Sequence, residues 1–283
     1  MANDPTDSLV GTEWLAARLE APDVRVVDAS WFLPGGDRDA KAEYTERHIP
    51  GAVFFDIDEI ADAASPLPHM LPDPETFSNR MGKLGLGGGA RIVVYDSGSW
   101  MAAPRAWWMF RVFGHDDVSV LDGGLAKWRA EGRPVDDAAV MPRERHFTAR
   151  MNTLLVRDLE QMRDNVERGR EQVLDARSSG RFAGTDPEPR PGLRSGHIPG
   201  SVNLPYGGLI DADTGALLGS GALNQAFAAA GVARGRPVVT TCGSGVTAGV
   251  LALGLHLAGH GDVAVYDGSW SEWGGRDDTP IES

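Results

Sequence analysis

The chain holds one cysteine in 283 residues, Cys242. A single thiol excludes any intramolecular disulfide and any metal site built from cysteine alone, and it fits a reducing compartment. Positive charge is also scarce: 27 lysines and arginines face 40 aspartates and glutamates, for a formal net charge of −13. That balance argues against a nucleic-acid or anionic-membrane partner. An anionic small molecule would need positive charge gathered at its site. No apolar run approaches the roughly 18 residues of a membrane span. The opening MANDPTDSLV is polar and acidic, unlike a signal or transit peptide, so a cytoplasmic location is the default expectation. No GxGxxG follows a strand pattern and no His, Cys and Asp residues cluster at metal spacing, so neither a cofactor nor a metal is expected. What is present is a globular composition, 42% hydrophobic and 24% charged, with material for two domains of ordinary size.

The chain repeats itself. HIPGAV at 48–53 returns as HIPGSV at 197–202, VVDAS at 26–30 as VLDAR at 173–177, and VSVLDGGLAKW at 118–128 as VAVYDGSWSEW at 263–273. The offsets, 149, 147 and 145 residues, drift slowly and the order is kept, as two copies with small insertions would give. Short β-branched runs predict buried strands at 24–27, 92–95 and 118–121 and again at 173–174, 238–241 and 263–266. Helical patterns lie between them. Leu159, Met162 and Val166 share a face, as do Leu251, Leu255 and Ala258 in the apolar run from 246, and Pro104 opens a tryptophan-rich stretch. Strands alternating with helices predict two α/β domains in tandem, each a parallel sheet flanked by helices on both faces. The expected boundaries are 8–137 for the first domain, 138–151 for an aperiodic linker and 152–283 for the second.

In VVTTCGSGVTAG, 238–249, the cysteine stands between a strand pattern and a helix pattern. That places Cys242 at the carboxyl end of a strand, where open α/β sheets bind ligands. Gly243 and Gly245 let the backbone fold tightly, so that successive N–H groups up to Val246 and Thr247 converge into an anion-binding concavity. Such a concavity favours a negatively charged sulfur, and Ser244 and Thr247 add hydroxyls. A phosphatase loop would carry arginine six residues after the cysteine, whereas this chain has Ala248 there. Residues 177–194 form a basic island, with Arg177, Arg181, Arg190 and Arg194 against Asp186 and Glu188. Guanidinium groups so gathered suit a carboxylate. The twin histidines His48 and His197 repeat in both halves although only one half has a thiol, so they read as structural. Trp107, Trp108, Trp128 and Trp273 read as packing residues.

HIPG in both halves, APRAWWMFRVFGHDDVSVLDGG in the first, and GRFAGTDPEPR with CGSGVTAG in the second make the chain resemble the tandem rhodanese family of sulfurtransferases. The resemblance covers nearly the whole chain. It implies a degenerate first domain and a catalytic second domain in which Cys242 is the nucleophile. At the 145-residue offset Ser97 falls opposite Cys242, with Asp96 one before it. Cys-Gly-Ser-Gly-Val-Thr at 242–247 resembles the mercaptopyruvate-using branch, while thiosulfate-using members resemble Cys-Arg-Lys-Gly-Val-Thr. The resemblance further implies 3-mercaptopyruvate as donor, a thiol such as thioredoxin or cyanide as acceptor, and substrate contacts from Arg181, Arg190, Gly243, Gly245, Val246 and Thr247. It implies that Asp58, His69 and Ser244 assist proton transfer. The alternatives are thiosulfate as preferred donor, or a non-catalytic binding module.

Overall fold

The computed structural model describes residues 8–33 and 35–283. These form two compact units. The first comprises the chain up to Ala63, Leu71–Asn152 and Ala212–Ala216; the second comprises Ala64–Met70, Thr153–Asp211 and Leu217–Ser283.

In the first unit β1 (Leu9–Val10), β2 (Val24–Asp28), β3 (Val53–Phe54), β4 (Arg91–Tyr95) and β5 (Val118–Leu121) form one sheet in the order β1-β5-β4-β2-β3. Its helices are α1 (Thr12–Ala16), α2 (Ala40–Glu46), α3 (Ile57–Ile60), α4 (Pro74–Lys83), α5 (Ala103–Val112) and α6 (Gly124–Ala130). The second unit repeats the plan with β6 (Val156–Arg157), β7 (Gln172–Asp175), β8 (Val202–Asn203), β9 (Val238–Thr241) and β10 (Val263–Tyr266), ordered β6-β10-β9-β7-β8. Its helices are α7 (Leu159–Arg168), α8 (Ser179–Phe182), α9 (Ser220–Ala229), α10 (Ala248–Leu257) and α11 (Ser269–Trp273). Every strand pair in both sheets is parallel.

The central strands are the β-branched runs visible in the sequence. The edge strands β1, β3, β6 and β8 have two residues each, too few to show an alternation. Each core sits against its sheet: Val26, Val93, Tyr95, Leu121 and Trp128 in the first unit, and Met162, Val173, Val239, Tyr266, Trp270 and Trp273 in the second. Helix α10 is buried from Ala248 through Leu255, so it is an internal helix and not an amphipathic one. Residues 138–151 hold no helix or strand. They pack on the first unit: Arg145 N–H donates to Gly82 O (3.1 Å), Gly88 N–H to His146 O (3.3 Å), and the buried Phe147 meets Phe77 edge-on.

The repeated residues recur as repeated contacts. His48 Nδ1 lies 2.8 Å from Tyr44 O, and His197 Nδ1 lies 2.8 Å from Phe182 O, each ring stacked on the aromatic ring of that residue. Trp128 Nε1–H donates to Pro134 O (2.7 Å) and Trp273 Nε1–H to Pro280 O (2.8 Å). One expected correspondence changes. In the sheets Asp28 pairs with Tyr95 and Asp175 with Thr241. Tyr95 therefore matches Thr241, and the residue matching Cys242 is Asp96, not Ser97. The first copy carries one more residue between its fourth and fifth strands, so the 145-residue offset taken from the strand-five segments is one short at the cysteine.

Asp28 and Asp175 end equivalent strands, and both are buried. Asp175 is met by the guanidinium of Arg177. Asp28 has Ser30 two residues on, whose N–H donates to it (2.8 Å) but which carries no charge. Burial, opposed by the Ser30 and Tyr95 hydrogen bonds, pushes Asp28 up to about 6. A carboxyl raised on folding binds its proton more tightly in the native state. The first unit should therefore lose stability as pH rises from about 4 to about 6 and hold level above that, by on the order of 2–3 kcal/mol in all. Asp28→Asn should remove this slope and raise stability at neutral pH. Denaturant unfolding of both proteins between pH 4.5 and 7.5 checks it; parallel pH profiles would contradict it.

Candidate active site

Cys242 follows the last residue of β9 and is 2% exposed. Helix α10 begins six residues later, so 243–247 form the turn between strand and helix. The turn is held from behind by the start of α11. Trp270 N–H donates to Cys242 O (3.0 Å), and Ser271 donates to Gly243 O from both its N–H (2.8 Å) and its hydroxyl (2.7 Å). Cys242 N–H donates to Ser269 Oγ (3.2 Å), whose own proton goes to Tyr266 O (2.8 Å). Ser269 is fully buried at φ 50°, a left-handed backbone that a side chain disfavours. The first unit has Gly124 at the matching place, at φ 56°. Ser269 and Ser271 were not singled out from the sequence. The signal was there: the repeated DGG of 122–124 becomes DGS at 267–269.

With those carbonyls engaged, the N–H groups of Gly243, Ser244, Val246, Thr247 and Ala248 meet no acceptor among the described residues. Gly245 turns the chain at φ 76°. The first unit shows what such donors can hold. There the Asp96 carboxylate stands at the cysteine's place; Oδ1 accepts from Gly98 N–H (2.9 Å) and Trp100 N–H (3.2 Å), and Oδ2 from Ala102 and Ala103 N–H (3.3 Å each). One copy fills its amide concavity with its own carboxylate. The other places a sulfur at the same strand end.

The four arginines of the basic island divide by role. Arg177 is fully buried, with Asp175 on its Nε and Nη2, Glu188 on Nη1 (2.7 Å) and the Trp270 ring beneath it at 4.2 Å. Burial pulls this guanidinium down, but the charges of Asp175 and Glu188 outweigh burial and leave it above its ordinary value. Arg194 clamps the C-terminal stretch, donating to Trp273 O, Gly274 O, Thr279 O and Thr279 Oγ1. Arg181 and Arg190 instead reach the cysteine loop. A Cβ built on Gly243 would lie 3.0 Å from Arg181 Nη2 and 3.9 Å from Arg190 Nη1. Position 243 therefore lies close to two guanidinium groups, and a side chain there would need Arg181 to shift.

His69 belongs to the second unit through the segment Ala64–Met70. It is buried at φ 60°, and its Nε2 lies 3.4 Å from Arg190 Nη2. Ser244 is buried within the loop and Thr247 caps α10 without a side-chain bond. Asp58 lies in the first unit, in the first turn of α3, and its Oδ2 accepts from Trp31 Nε1–H (2.9 Å). The second unit thus brings together Cys242, Gly243, Ser244, Arg181, Arg190 and His69. Among the described residues no group of three or more His, Cys, Asp or Glu could hold a metal ion, and no helix is long and apolar enough to cross a membrane.

Comparison with known proteins finds the rhodanese-like domain twice, over residues 11–131 and 158–276. The chain is 44% identical to human 3-mercaptopyruvate sulfurtransferase over 272 residues, covering 94% of this chain and 91% of that protein. It is 47% identical to bovine thiosulfate sulfurtransferase over 274 residues, again covering 94% and 91%. The crystal structure of the Escherichia coli 3-mercaptopyruvate sulfurtransferase superposes with a TM-score of 0.86 at 40% identity, covering 93% of this chain and 98% of that one.

The Asp96 cradle carries a stability prediction. Asp96→Ala would leave four inward N–H groups without their acceptor and should destabilise the first unit by at least about 3 kcal/mol. Asp96→Asn keeps one oxygen and should lose clearly less. Urea unfolding of the two variants measures the difference; equal, small losses would mean that the carboxylate does not hold the loop.

Proposed function

The chain belongs to the rhodanese-like domain family, and from that premise we propose that it is a sulfurtransferase that carries the sulfur of 3-mercaptopyruvate on Cys242 to a thiol or to cyanide, releasing pyruvate. The observation that supports the reading best is the approach of Arg181 and Arg190 to Gly243, directly beside the cysteine. Two guanidinium groups suit a donor that carries a carboxylate next to a carbonyl.

In the first half-reaction the Cys242 thiolate attacks the thiol sulfur of the donor. The new S–S bond forms as the C–S bond breaks, and the bonding pair passes to carbon as the enolate of pyruvate. Protonation of that carbon gives pyruvate and leaves Cys242 as a persulfide. On this reading His69, beside Arg190, and Ser244, in the loop, move the proton, with Asp58 as the third group of the expected set. The loop N–H groups stabilise the anionic sulfur without having to reorganise. In the second half-reaction an acceptor nucleophile attacks the outer sulfur, and the S–S pair returns to Cys242 as thiolate. The chain has no second cysteine to resolve the persulfide, so the acceptor brings its own nucleophile, such as the dithiol of reduced thioredoxin. On this reading the sulfur is carried within residues 152–283, with His69 contributed from residues 8–137, and Asp96 keeps residues 8–137 from carrying sulfur themselves. A cytoplasmic location goes with it.

Thiosulfate as the preferred donor is the competing reading, favoured by the identity to the bovine thiosulfate enzyme. The loop weighs against it. Gly243 presents no cation to a dianion, and a cationic side chain there would crowd Arg181.

With 3-mercaptopyruvate the protein should release one pyruvate per sulfur transferred, and intact mass should show one added sulfur, lost in Cys242→Ser. Catalytic efficiency should be at least tenfold, roughly 1.4 kcal/mol, greater on 3-mercaptopyruvate than on thiosulfate. A higher efficiency on thiosulfate, or turnover by Cys242→Ser, would contradict the reading.

A further inference from the structure

We propose that Glu188 is a specificity-determining residue: it offsets the charge of Arg181 and so biases the cysteine loop toward donors bearing one negative charge over donors bearing two. The inference rests on the sulfurtransferase reading above.

Glu188 sits between Pro187 and Pro189, both exposed, yet its own carboxylate is only 2% exposed. A carboxylate taken out of water must be paired. Glu188 is paired on both oxygens: Oε1 accepts from Arg177 Nη1 (2.7 Å), and Oε2 accepts from Arg181 Nη2 (2.6 Å) and Nε (3.2 Å). Arg177 already has a counter-charge, since Asp175 accepts from its Nε (3.0 Å) and Nη2 (2.7 Å). The charge of Glu188 is therefore balanced against Arg181.

Arg181 Nη2, the atom that Glu188 holds, is also the atom nearest a Cβ position on Gly243. Glu188 thus does two things at the residue beside the sulfur. It fixes the guanidinium edge through two donors to one oxygen, and it lowers the positive charge that this edge presents. A donor with a single carboxylate feels the buried negative charge once. A dianion feels the buried negative charge twice over. At about 6 Å and an effective dielectric of about 40, one elementary charge changes an ion's affinity roughly tenfold.

The test is the ratio of kcat/KM on thiosulfate to kcat/KM on 3-mercaptopyruvate in wild type, Glu188→Gln, Arg181→Gln and the double variant. Glu188→Gln should raise the ratio roughly tenfold. Arg181→Gln removes a proposed donor contact as well as a charge, so it serves as a second background: adding Glu188→Gln to it should again raise the ratio. In that background the buried carboxylate has already lost one partner, so the double variant reports even where Glu188→Gln alone fails to fold. Calorimetric binding of sulfate and pyruvate gives the same ratio without turnover. A ratio that falls, or stays within about twofold of its parent, when Glu188→Gln is introduced would overturn the proposal. Wild type preferring thiosulfate would instead contradict the donor assignment, because the shifts are read relative to wild type.

Discussion

The proposed chemistry depends on a short row of backbone N–H groups at the carboxyl end of a central parallel strand. In both units the strand stops, the chain turns, and a helix begins within a few residues. The donors left over at such a turn need a negative partner. In the first unit Asp96 supplies it, accepting from four N–H groups. In the second unit the equivalent residue is Cys242, and the loop donors find no acceptor among the described residues. The fold makes the same offer twice. On the proposed reading, the side chain at the strand end decides whether the loop is sealed or reactive.

The surroundings of the second loop carry that difference outward. Ser269 takes the Cys242 N–H at the cost of a left-handed backbone, where the first copy uses glycine. Strain of that kind persists only when the neighbours hold it, and here Tyr266 O, Thr241 and Cys242 all bond to the same hydroxyl. His69, the other non-glycine residue at positive φ among the described residues of this unit, stands beside Arg190. The arginines supply what an acidic chain otherwise lacks, positive charge at one place. Their carboxylate partners are unequally shared, with Asp175 serving Arg177 alone and Glu188 serving Arg177 and Arg181.

Much of this was legible in the sequence because the physics is local. The β-branched runs became β2, β4, β5, β7, β9 and β10, since buried parallel strands need little besides apolar bulk. The thiol between Val238–Thr241 and an apolar helix placed Cys242 at the strand end. The four arginines did not separate, because Arg177, Arg181, Arg190 and Arg194 differ only in what the fold sets beside them. Glu188 stood in the sequence only as one of two acids beside four arginines, and its burial follows from the two guanidiniums, not from its neighbours in the chain. The match of Cys242 to Asp96 was missed by one residue, since an offset taken at strand five does not carry through an insertion. Two-residue edge strands left no pattern to read.

The central claim is that the amides of 243–248 hold the sulfur as an anion, and amide NMR tests it directly. Spectra of the 15N-labelled protein before and after one sulfur is loaded onto Cys242 should show the amide protons of Gly243, Ser244, Val246 and Thr247 moving downfield together. Those of Gly98 and Trp100, already bound to Asp96, should stay in place. Loop amide protons that do not move on loading would contradict the claim.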